Sequence, residues 1–465
     1  MKMPRAVREF CNSRTKVSSQ RTKVKTVVNK TVSTITSLVI PSEDAECLGI
    51  ITSSFQSIPL PDQNILNALE HPTWPNGEID QVFDRIQPGE KVCIVVSDHT
   101  RKTAVDRVIP ILLRGLTEKS TRQQGKYSLN DIFILVASGI HRVPTHDELK
   151  TILGSNIVKI FKNRIFFHDP DNCANLVSGG MTRRGHNVLI NKKAVEADRM
   201  VLIGAAMYHY HAGFSGGRKS LVPGLSARST ISHNHSLTLD PDHNQIHPKA
   251  DIGILDGNPV AEEMLESAML CPPDFIINTV LFPNGILAGV FTGEMNMAHR
   301  AACQLVEQIN RVTLEKPADF IIASAGSASN WIQSHKALFN AYRAIRPNGR
   351  VILAAPCPEG LGNERFRYWV TKNTIEDIYK GLRQSPEVLG QTALSTRMRG
   401  LQTILVTDMN QQDVADLGIR SMPNLDTAIR SVINDFRASG IKRPSYYFMP
   451  HAGSLVPFLA NNTTL

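Results

Sequence analysis

The 465-residue sequence contains no run of about eighteen apolar residues, so it predicts no membrane-spanning segment. It has seven scattered cysteines and no Cys-x-x-Cys pair, which argues against a zinc knuckle or an iron–sulfur cluster. Without a secretion signal, these thiols indicate a reducing, cytoplasmic location. Only 20% of the residues are charged and 42% are hydrophobic, so the chain is long and apolar enough for more than one buried core.

The net charge of +9 is concentrated at the N-terminus. Residues 1–37 hold nine Lys or Arg and a single acid, Glu9, and the remaining chain is nearly neutral. A folded surface that binds nucleic acid needs clustered positive charge, so we expect no nucleic-acid partner. We interpret 1–37 as a basic, poorly ordered extension without a catalytic part. An organelle-targeting segment and a wrongly chosen upstream start codon stay open as alternatives.

Three apolar runs of strand length are each followed by polar residues. The runs are 91–96, 131–137 and 199–204, and the polar residues after them include Asp98, His141 and His209. Continuous apolar runs are typical of strands that are covered on both faces. In open α/β sheets, ligands bind at the carboxyl ends of the strands, so we expect these loops to converge on one crevice.

A second α/β layer follows. Strand-like segments at 320–324, 350–355, 403–407 and 445–449 alternate with helical patterns at 334–345, 374–382 and 425–438. The sequence thus predicts two α/β domains with largely parallel, Rossmann-like sheets and an active site in the cleft between them. We place the N-terminal domain, with the cofactor and metal residues, at 38–305 and the C-terminal domain at 306–465.

Segment 209–235 has an unusual composition. It combines four histidines, three glycines and the pair Arg218–Lys219. The histidines are His209, His211, His233 and His235, and the glycines are Gly213, Gly216 and Gly217. Glycines allow close approach of a backbone to a ligand, and imidazoles are common bases and metal ligands. Arg218 stands where a Walker A loop needs a glycine, which weakens a nucleoside-triphosphatase interpretation, although the glycine N–H groups suit a phosphate.

Each of these candidate site residues could instead have a purely structural role. Asp98 and Arg101 could form a local ion pair, His141 could be a turn residue, and Lys219 could pair with a nearby acid at the surface. Four histidines and two acids resemble a divalent-metal site in composition, but their spacing matches no standard zinc pattern. These residues are His233, His235, His243, His247, Asp240 and Asp242.

Five motifs in this order resemble the nickel-pincer lactate racemase family of 2-hydroxyacid racemases and epimerases. They are Asp98-x-x-Arg101, Ser-Gly-Ile-His141-Arg, His209 ten residues before Lys219 of Gly-Phe-Ser-Gly-Gly-Arg-Lys, His235 sixteen residues after it, and Gln333-Ser-His-Lys336. The resemblance covers most of the chain after 1–37. It implies inversion at C2 of a 2-hydroxy acid, lactate or a larger analogue, by hydride transfer through a 2-keto acid.

The resemblance also implies a cofactor and its binding residues. Lys219 would carry a pyridinium-3,5-bisthiocarboxylic acid mononucleotide, the nickel-pincer nucleotide, and His235 would complete a square-planar nickel site, a geometry that nickel(II) accepts. Asp98, Arg101, Gly216 and Gly217 would contact this cofactor.

The remaining implied roles concern the substrate. His141 and His209 would be the two bases, one for each enantiomer. Arg101 and Lys336 would hold the carboxylate, and Gln333 would help to orient the substrate. The implied partners are a small 2-hydroxy acid and cofactor-biosynthesis proteins, with no nucleic acid or membrane.

Two other function classes stay open. One is a metal- or phosphate-dependent hydrolase or kinase that uses the histidine cluster and the glycine-rich loop. The other is a non-catalytic, cofactor-binding homologue.

Overall fold

The computed structural model describes residues 40–75, 80–122 and 127–460, which form two compact units. The first unit contains Ser57–Gln308 and Ser385–Val388. The second contains 40–56, Ile309–Gln384 and 389–460. The basic segment 1–37 lies outside the described residues, so its interpretation stays a prediction.

The strand β1 (Glu46–Ile50) belongs to the second unit, and the first unit begins after it. The strands of the first unit are β2 (Val92–Ser97), β3 (Ile132–Ala137), β4 (Ile165–Phe167), β5 (Leu176–Met181), β6 (Asn187–Asn191), β7 (Arg199–Ala205), β8 (Tyr208–His209), β9 (Gly213–Phe214), β10 (Phe275–Leu281) and β11 (Leu287–Gly293). Its helices are α1 (Asp62–Glu70), α2 (Val105–Arg122), α3 (His146–Leu153), α4 (Ser155–Ile160), α5 (Lys192–Val195), α6 (Arg228–Ser236), α7 (Pro259–Met269) and α8 (Met295–Asn310).

The main sheet of the first unit has the strand order β11-β10-β7-β2-β3-β4. Neighbouring strands are parallel except β10 and β11, which are antiparallel. The chain passes from β2 to β3 on one side and later returns to β7 on the other side of β2. The carboxyl ends of these three strands therefore meet where the strand order reverses, which is the usual ligand site of such sheets. The three predicted strands agree with β2, β3 and β7 to within one residue at each end.

The central strand β2 is buried on both faces because its side chains alternate between two cores. Ile94 and Val96 pack into a cluster with residues of α1 and α2. Cys93 and Val95 point the other way, into a cluster with residues of α7. This arrangement explains why the sequence of β2 is continuously apolar rather than alternating.

The second unit contains a parallel sheet of its own, with the strand order β1-β17-β13-β14-β15-β16. Its further strands are β12 (Arg311–Leu314), β13 (Ala318–Ser324), β14 (Ile345–Ala354), β15 (Thr403–Val406), β16 (Arg420–Ser421), β17 (Ser445–Met449) and β18 (Val456–Leu459). Its helices are α9 (Trp331–Tyr342), α10 (Glu364–Val370), α11 (Ile375–Gln384), α12 (Val388–Gly400), α13 (Gln411–Leu417) and α14 (Leu425–Ala438). Within the described residues, no helix has the length and apolarity needed to cross a membrane.

The structure divides the chain differently from the predicted domains at two points, one of which is the assignment of Ser385–Val388 to the first unit. Residues 40–56 lie in the second unit, whereas the sequence-based division places them in the N-terminal domain. The reason is that β1 pairs in parallel with β17, from Glu46 opposite Ser445 to Ile50 opposite Phe448. The later boundary, between Gln308 and Ile309, lies close to the expected position.

We expect the stability of the first unit to depend on β2. Ile94 is fully buried, and Ile94→Ala should lower the free energy of unfolding by about 2–5 kcal/mol, because it leaves a cavity between the central strand and the helices. Ile58→Ala, at a position that is 65% exposed in the same unit, is the matched control and should change it by no more than about 0.5 kcal/mol. Denaturant titrations of both variants measure the difference, and equal losses would contradict the proposed core.

Candidate active site

A buried carboxylate and a histidine form the first part of the site. Asp98 follows β2 and is 2% exposed, and its Oδ2 lies 2.6 Å from Nδ1 of His141, which follows β3. Thr100 donates to Oδ1 of Asp98 from its hydroxyl at 2.6 Å and from its backbone N–H at 3.1 Å. Burial raises the pKa of Asp98, but the hydrogen bonds from His141 and Thr100 and the charge of Arg101 outweigh it and hold the pKa below its ordinary value. Asp98 is therefore an anion that fixes one nitrogen of His141.

Arg101 does not form the local ion pair with Asp98 that the sequence left open. Its backbone N–H donates to the carbonyl of Asp98 at 3.2 Å, but its guanidinium has no hydrogen bond or ion pair with any described residue. Its positive charge contributes to lowering the pKa values of His209 and Lys219, which places it in their vicinity. A guanidinium in this situation is suited to bind an anionic ligand.

His209 is held by the backbone of the turn that follows it. Its Nδ1 accepts from the N–H of His211 at 3.3 Å and from the N–H of Ala212 at 3.2 Å. Removal from water and the positive charges of Lys219 and Arg101 lower the pKa of His209 well below its ordinary value. The ring is therefore neutral near neutral pH.

Lys219 lies in the short 3-10 turn Gly217–Ser220. No hydrogen bond or ion pair joins its amine to any described residue, so the interpretation as a surface lysine paired to an acid is not supported. Removal from water and the charges of Arg101 and Arg218 lower the pKa of Lys219 well below its ordinary value. A lowered pKa leaves part of the amine neutral, and a neutral amine is the nucleophilic form.

The turn that carries Lys219 is anchored by its neighbour Arg218, which is 4% exposed. The guanidinium donates to the carbonyl of Ala261 at 3.2 Å and to Nδ1 of His299 at 3.0 Å. Nε2 of His299 in turn donates to the carbonyl of Ser215 at 2.9 Å. Burial lowers the pKa of Arg218 to about 10, and burial and Arg218 lower the pKa of His299 to about 3. A neutral His299 can therefore bridge Arg218 to the backbone before the turn.

The two glycines before Arg218 are required by the packing of the protein itself. Gly216 and Gly217 have φ values of +82° and +52°. A Cβ on Gly216 would lie 2.6 Å from Oδ1 of Asn278, and a Cβ on Gly217 would lie 2.9 Å from Cγ of His299. The N–H of Gly217 donates to Oδ1 of Asn278 at 2.9 Å. Their proposed contact with a cofactor stays a prediction.

His235 lies in α6 and is 5% exposed. Its Nδ1 donates to the carbonyl of Ile231 at 2.9 Å, one turn earlier in the helix. Burial and the charge of Lys219 lower its pKa to about 4. The neutral ring thus keeps its proton on Nδ1 and its lone pair on Nε2, which is the form that binds a metal.

The wider metal site suggested by composition does not form. Among residues 40–75, 80–122 and 127–460, no three His, Cys, Asp or Glu side chains are placed to hold one ion. His243 is 72% exposed and lies 3.2 Å from Asp240 in a local turn, while His233 lies 3.3 Å from Glu263. These histidines belong to separate local contacts, because α6 buries His235 and the following loop turns towards solvent.

Gln333 and Lys336 lie one turn apart on α9 of the second unit. Nζ of Lys336 donates to Oε1 of Gln333 at 2.7 Å, so the two predicted substrate-binding residues form one polar pair. The other predicted residues all lie in the first unit. They are Asp98, Arg101, His141, His209, Gly216, Gly217, Lys219 and His235.

The sequence analysis assigned no role to several polar groups near these residues. Ser138 Oγ and Asn278 Nδ2 are buried and have no hydrogen-bond partner in the described part of the chain. Ser138 follows β3, and Asn278 contacts the glycine turn through its other amide atom. The sequence offers no signal for Asn278 or His299, because each lies within an ordinary strand or helix. Thr100 was detectable, since Asp98 and a Thr two residues later commonly form a local hydrogen bond.

Comparisons with known proteins identify the family. The Lactate racemase N-terminal domain matches residues 34–246. A lactate racemase of Thermoanaerobacterium thermosaccharolyticum is 30% identical over 409 residues, covering 84% of this chain and 92% of the relative. The chain belongs to the lactate racemase family. A lactate racemase of Lactiplantibacillus plantarum is 33% identical over 293 residues, covering 62% of this chain and 65% of that relative.

Solved structures agree with this assignment. The lactate racemase apoprotein from T. thermosaccharolyticum superimposes with a TM-score of 0.77 at 28% identity, covering 91% of this chain and 97% of that one. A protein from Thermotoga maritima shares the fold, with a TM-score of 0.64 at 18% identity over 87% of this chain and 100% of that one. This lactate racemase family member is thus an isomerase of the racemase class with the α/β fold predicted from its sequence.

We expect Gly217→Ala to destabilise this family member more than Gly185→Ala. Both glycines have positive φ, but only at Gly217 does an added Cβ meet another side chain, and nothing lies within 4 Å of one at Gly185. Gly217→Ala should lower the free energy of unfolding by about 1–3 kcal/mol more than Gly185→Ala does, which is the usual cost of overpacking. Denaturant titrations measure both variants, and equal losses would show that His299 moves aside freely.

We also expect the amine of Lys219 to be reactive at an unusually low pH in protein purified without cofactor. Only a neutral amine is acylated, so a lowered pKa shifts the onset of labelling to lower pH than for an ordinary lysine, which titrates near about 10.4. Trace labelling with acetic anhydride over a pH series, read by peptide mass spectrometry, compares Lys219 with the exposed Lys159. Coinciding pH profiles would contradict the described environment of Lys219.

Proposed function

We propose that this protein inverts C2 of a small 2-hydroxy acid, lactate or a larger analogue, through a planar 2-keto acid. The observation that carries the proposal is the environment of Lys219, an amine without an acidic partner among the described residues, close to His209, His235 and Arg101. This combination of a reactive amine, neutral imidazoles and a guanidinium is poorly explained by stability alone. The racemase relatives supply the reaction class.

The chemistry of the substrate favours hydride transfer. The hydrogen on C2 lies beside a carboxylate anion, and its removal as a proton would build a second negative charge next to the first. An imidazole with a pKa near about 6.5 is far too weak a base for that step. Removal of the hydroxyl proton, together with loss of the C2 hydrogen as hydride, yields a neutral ketone instead.

Hydride transfer requires an acceptor, and the residues present fit the nickel-pincer nucleotide that the sequence resemblance implies. Lys219 would carry the nucleotide and His235 would bind its nickel through Nε2. Ser138 Oγ and Asn278 Nδ2, which lack a hydrogen-bond partner among the described residues, offer further polar contacts. When bound, this group supplies an acceptor and donor for the C2 hydride. Other proteins would have to synthesise and load it.

The chain's own residues bind the substrate and move its hydroxyl proton. Arg101 would hold the carboxylate by paired hydrogen bonds. Gln333 and Lys336, which are bonded to each other, are proposed as further substrate-binding residues. His141 and His209 would be the two bases that move the hydroxyl proton, one for each enantiomer. Asp98 would hold the imidazolium formed at His141.

Chiral analysis in deuterated water tests the proposal. Cofactor-loaded protein is incubated with single enantiomers of lactate, malate, phenyllactate and sugar acids, and both C2 configuration and C2 deuterium content are measured. We expect interconversion of at least one acid without deuterium at C2, because hydride does not exchange with solvent.

Three outcomes are informative against it. Interconversion with deuterium incorporation would indicate proton abstraction and remove the hydride mechanism. Hydrolysis or phosphoryl transfer without racemisation would favour the metal- or phosphate-dependent enzyme. A loaded protein that turns over none of the acids would be a non-catalytic homologue.

Lys219→Ala, which cannot form the adduct, is the control in the same assay. If the increase in intact mass seen for the loaded wild-type protein persists in this variant, the cofactor is attached elsewhere.

A further inference from the structure

The helix that carries Gln333 and Lys336 is held by a second helix of the same unit. Trp331, His335 and Phe339 are spaced four residues apart in α9, so they lie on one face of that helix. Each of them contacts α12. At about 100° per residue, Gln333 lies about 200° around the helix axis from His335. The face of α9 that contacts α12 is therefore nearly opposite the side chain of Gln333.

The central contact between the two helices is a hydrogen bond between buried groups. His335 is fully buried, and its Nε2 lies 2.9 Å from Oγ of Ser395, which is 1% exposed. Nη1 of Arg399 donates to the same Oγ at 2.7 Å and to the carbonyl of Ser395 at 3.1 Å. The guanidinium carbon of Arg399 also lies 4.3 Å from the ring centre of Phe339. One hydroxyl thus joins His335 of α9 to Arg399 of α12, and Arg399 contacts α9 a second time.

A second hydrogen bond lies one turn earlier in α9. Nε1 of Trp331 donates to Oγ1 of Thr396 at 3.1 Å, and both side chains are fully buried. Oγ1 of Thr396 in turn donates to the carbonyl of Thr392 at 2.8 Å, which orients the hydroxyl. Two hydrogen bonds one turn apart therefore resist rotation of α9 about its own axis, because a hydrogen bond weakens steeply when its angle changes.

The polar composition of this contact favours a role in orientation rather than in stability alone. Replacing both partners of a buried hydrogen bond by apolar groups of the same shape is often nearly neutral for stability. Apolar contacts have no preferred direction, whereas hydrogen bonds do. The face of α12 is nevertheless built from four polar side chains that are at most 2% exposed, namely Gln391, Thr392, Ser395 and Thr396.

Resting on the proposed function, we propose that His335, Ser395 and Arg399 are positioning residues for substrate binding. They act through the rotation of α9, which determines where the amine of Lys336 and the amide of Gln333 lie. Nζ of Lys336 donates to Oε1 of Gln333 at 2.7 Å, so the two groups move together when the helix turns. The positioning residues themselves do not touch the substrate.

The kinetics of the loaded enzyme test this role. His335→Leu removes the hydrogen bond to Ser395 at similar size, whereas His335→Gln keeps an amide in place of the ring nitrogen. Displaced carboxylate-binding groups weaken the bound substrate and the transition state equally, so KM rises and kcat does not change. We expect His335→Leu to raise KM about tenfold with kcat per bound cofactor within about threefold of wild type, and His335→Gln to keep both within about threefold.

Two further variants separate this effect from a loss of stability. Ser395→Ala breaks the same hydrogen bond from α12 with a smaller change in volume, so it carries the test if His335→Leu fails to fold. It should raise KM as well. Val432→Ala removes a fully buried side chain from α14, outside both helices, and should lower the stability but leave KM unchanged. A wild-type KM in Ser395→Ala and in folded His335→Leu would overturn the proposal.

A double-mutant cycle shows whether His335 acts through Lys336. Lys336→Met removes the amine whose location His335 is proposed to determine. In that background His335→Leu should raise KM by less than about threefold, compared with about tenfold in the wild-type background, because coupled residues are not additive. Effects on KM that multiply independently would contradict positioning of Lys336 by His335.

Crystal structures of the cofactor-free protein test the rotation without turnover. We expect the side chains of Gln333 and Lys336 to shift together by about 1 Å in His335→Leu, a displacement large enough to weaken binding, and to keep their positions in His335→Gln. An unmoved α9 in both His335→Leu and Ser395→Ala would overturn the proposal. Failure of the wild-type enzyme to racemise any acid would instead overturn the proposed function, and the crystal structures would still decide whether α12 determines the rotation of α9.

Discussion

Positive charge at buried positions governs the carboxyl edge of the first sheet. Arg101 and Arg218 both lower the pKa of Lys219, and Arg101 also helps to lower the pKa of the buried acid Asp98. Such an arrangement is costly, because buried charges are stable only when paired or hydrogen-bonded. The protein meets this cost by bonding Arg218 to carbonyls and His299 and by lowering the pKa of Lys219. The remaining positive potential favours an anionic ligand.

The glycine turn shows how the same constraint shapes the backbone. The sequence suggested that Gly216 and Gly217 leave room for a ligand, but the space that their missing side chains would occupy is taken by Asn278 and His299. These two residues hold the turn by accepting from the N–H of Gly217 and from Arg218. The glycines thus serve first to bring β10 and α8 against the turn, and this packing places Lys219 beside the histidines.

The features that could be predicted from the sequence are those that depend on neighbouring residues in the chain. The strands β2, β3 and β7 follow from continuous apolar runs, and the polar residues after them follow from chain order. The helix α12 has no such signal, because most of its residues are buried and no apolar stripe results. Contacts between residues far apart in the chain were not predicted either. The strand β1 pairs with β17 about 400 positions away, and Asn278 contacts Gly217 across 61 positions. The sequence suggested one cluster of histidines because four of them lie close together in the chain, but the fold places them in separate local contacts. They are His233, His235, His243 and His247.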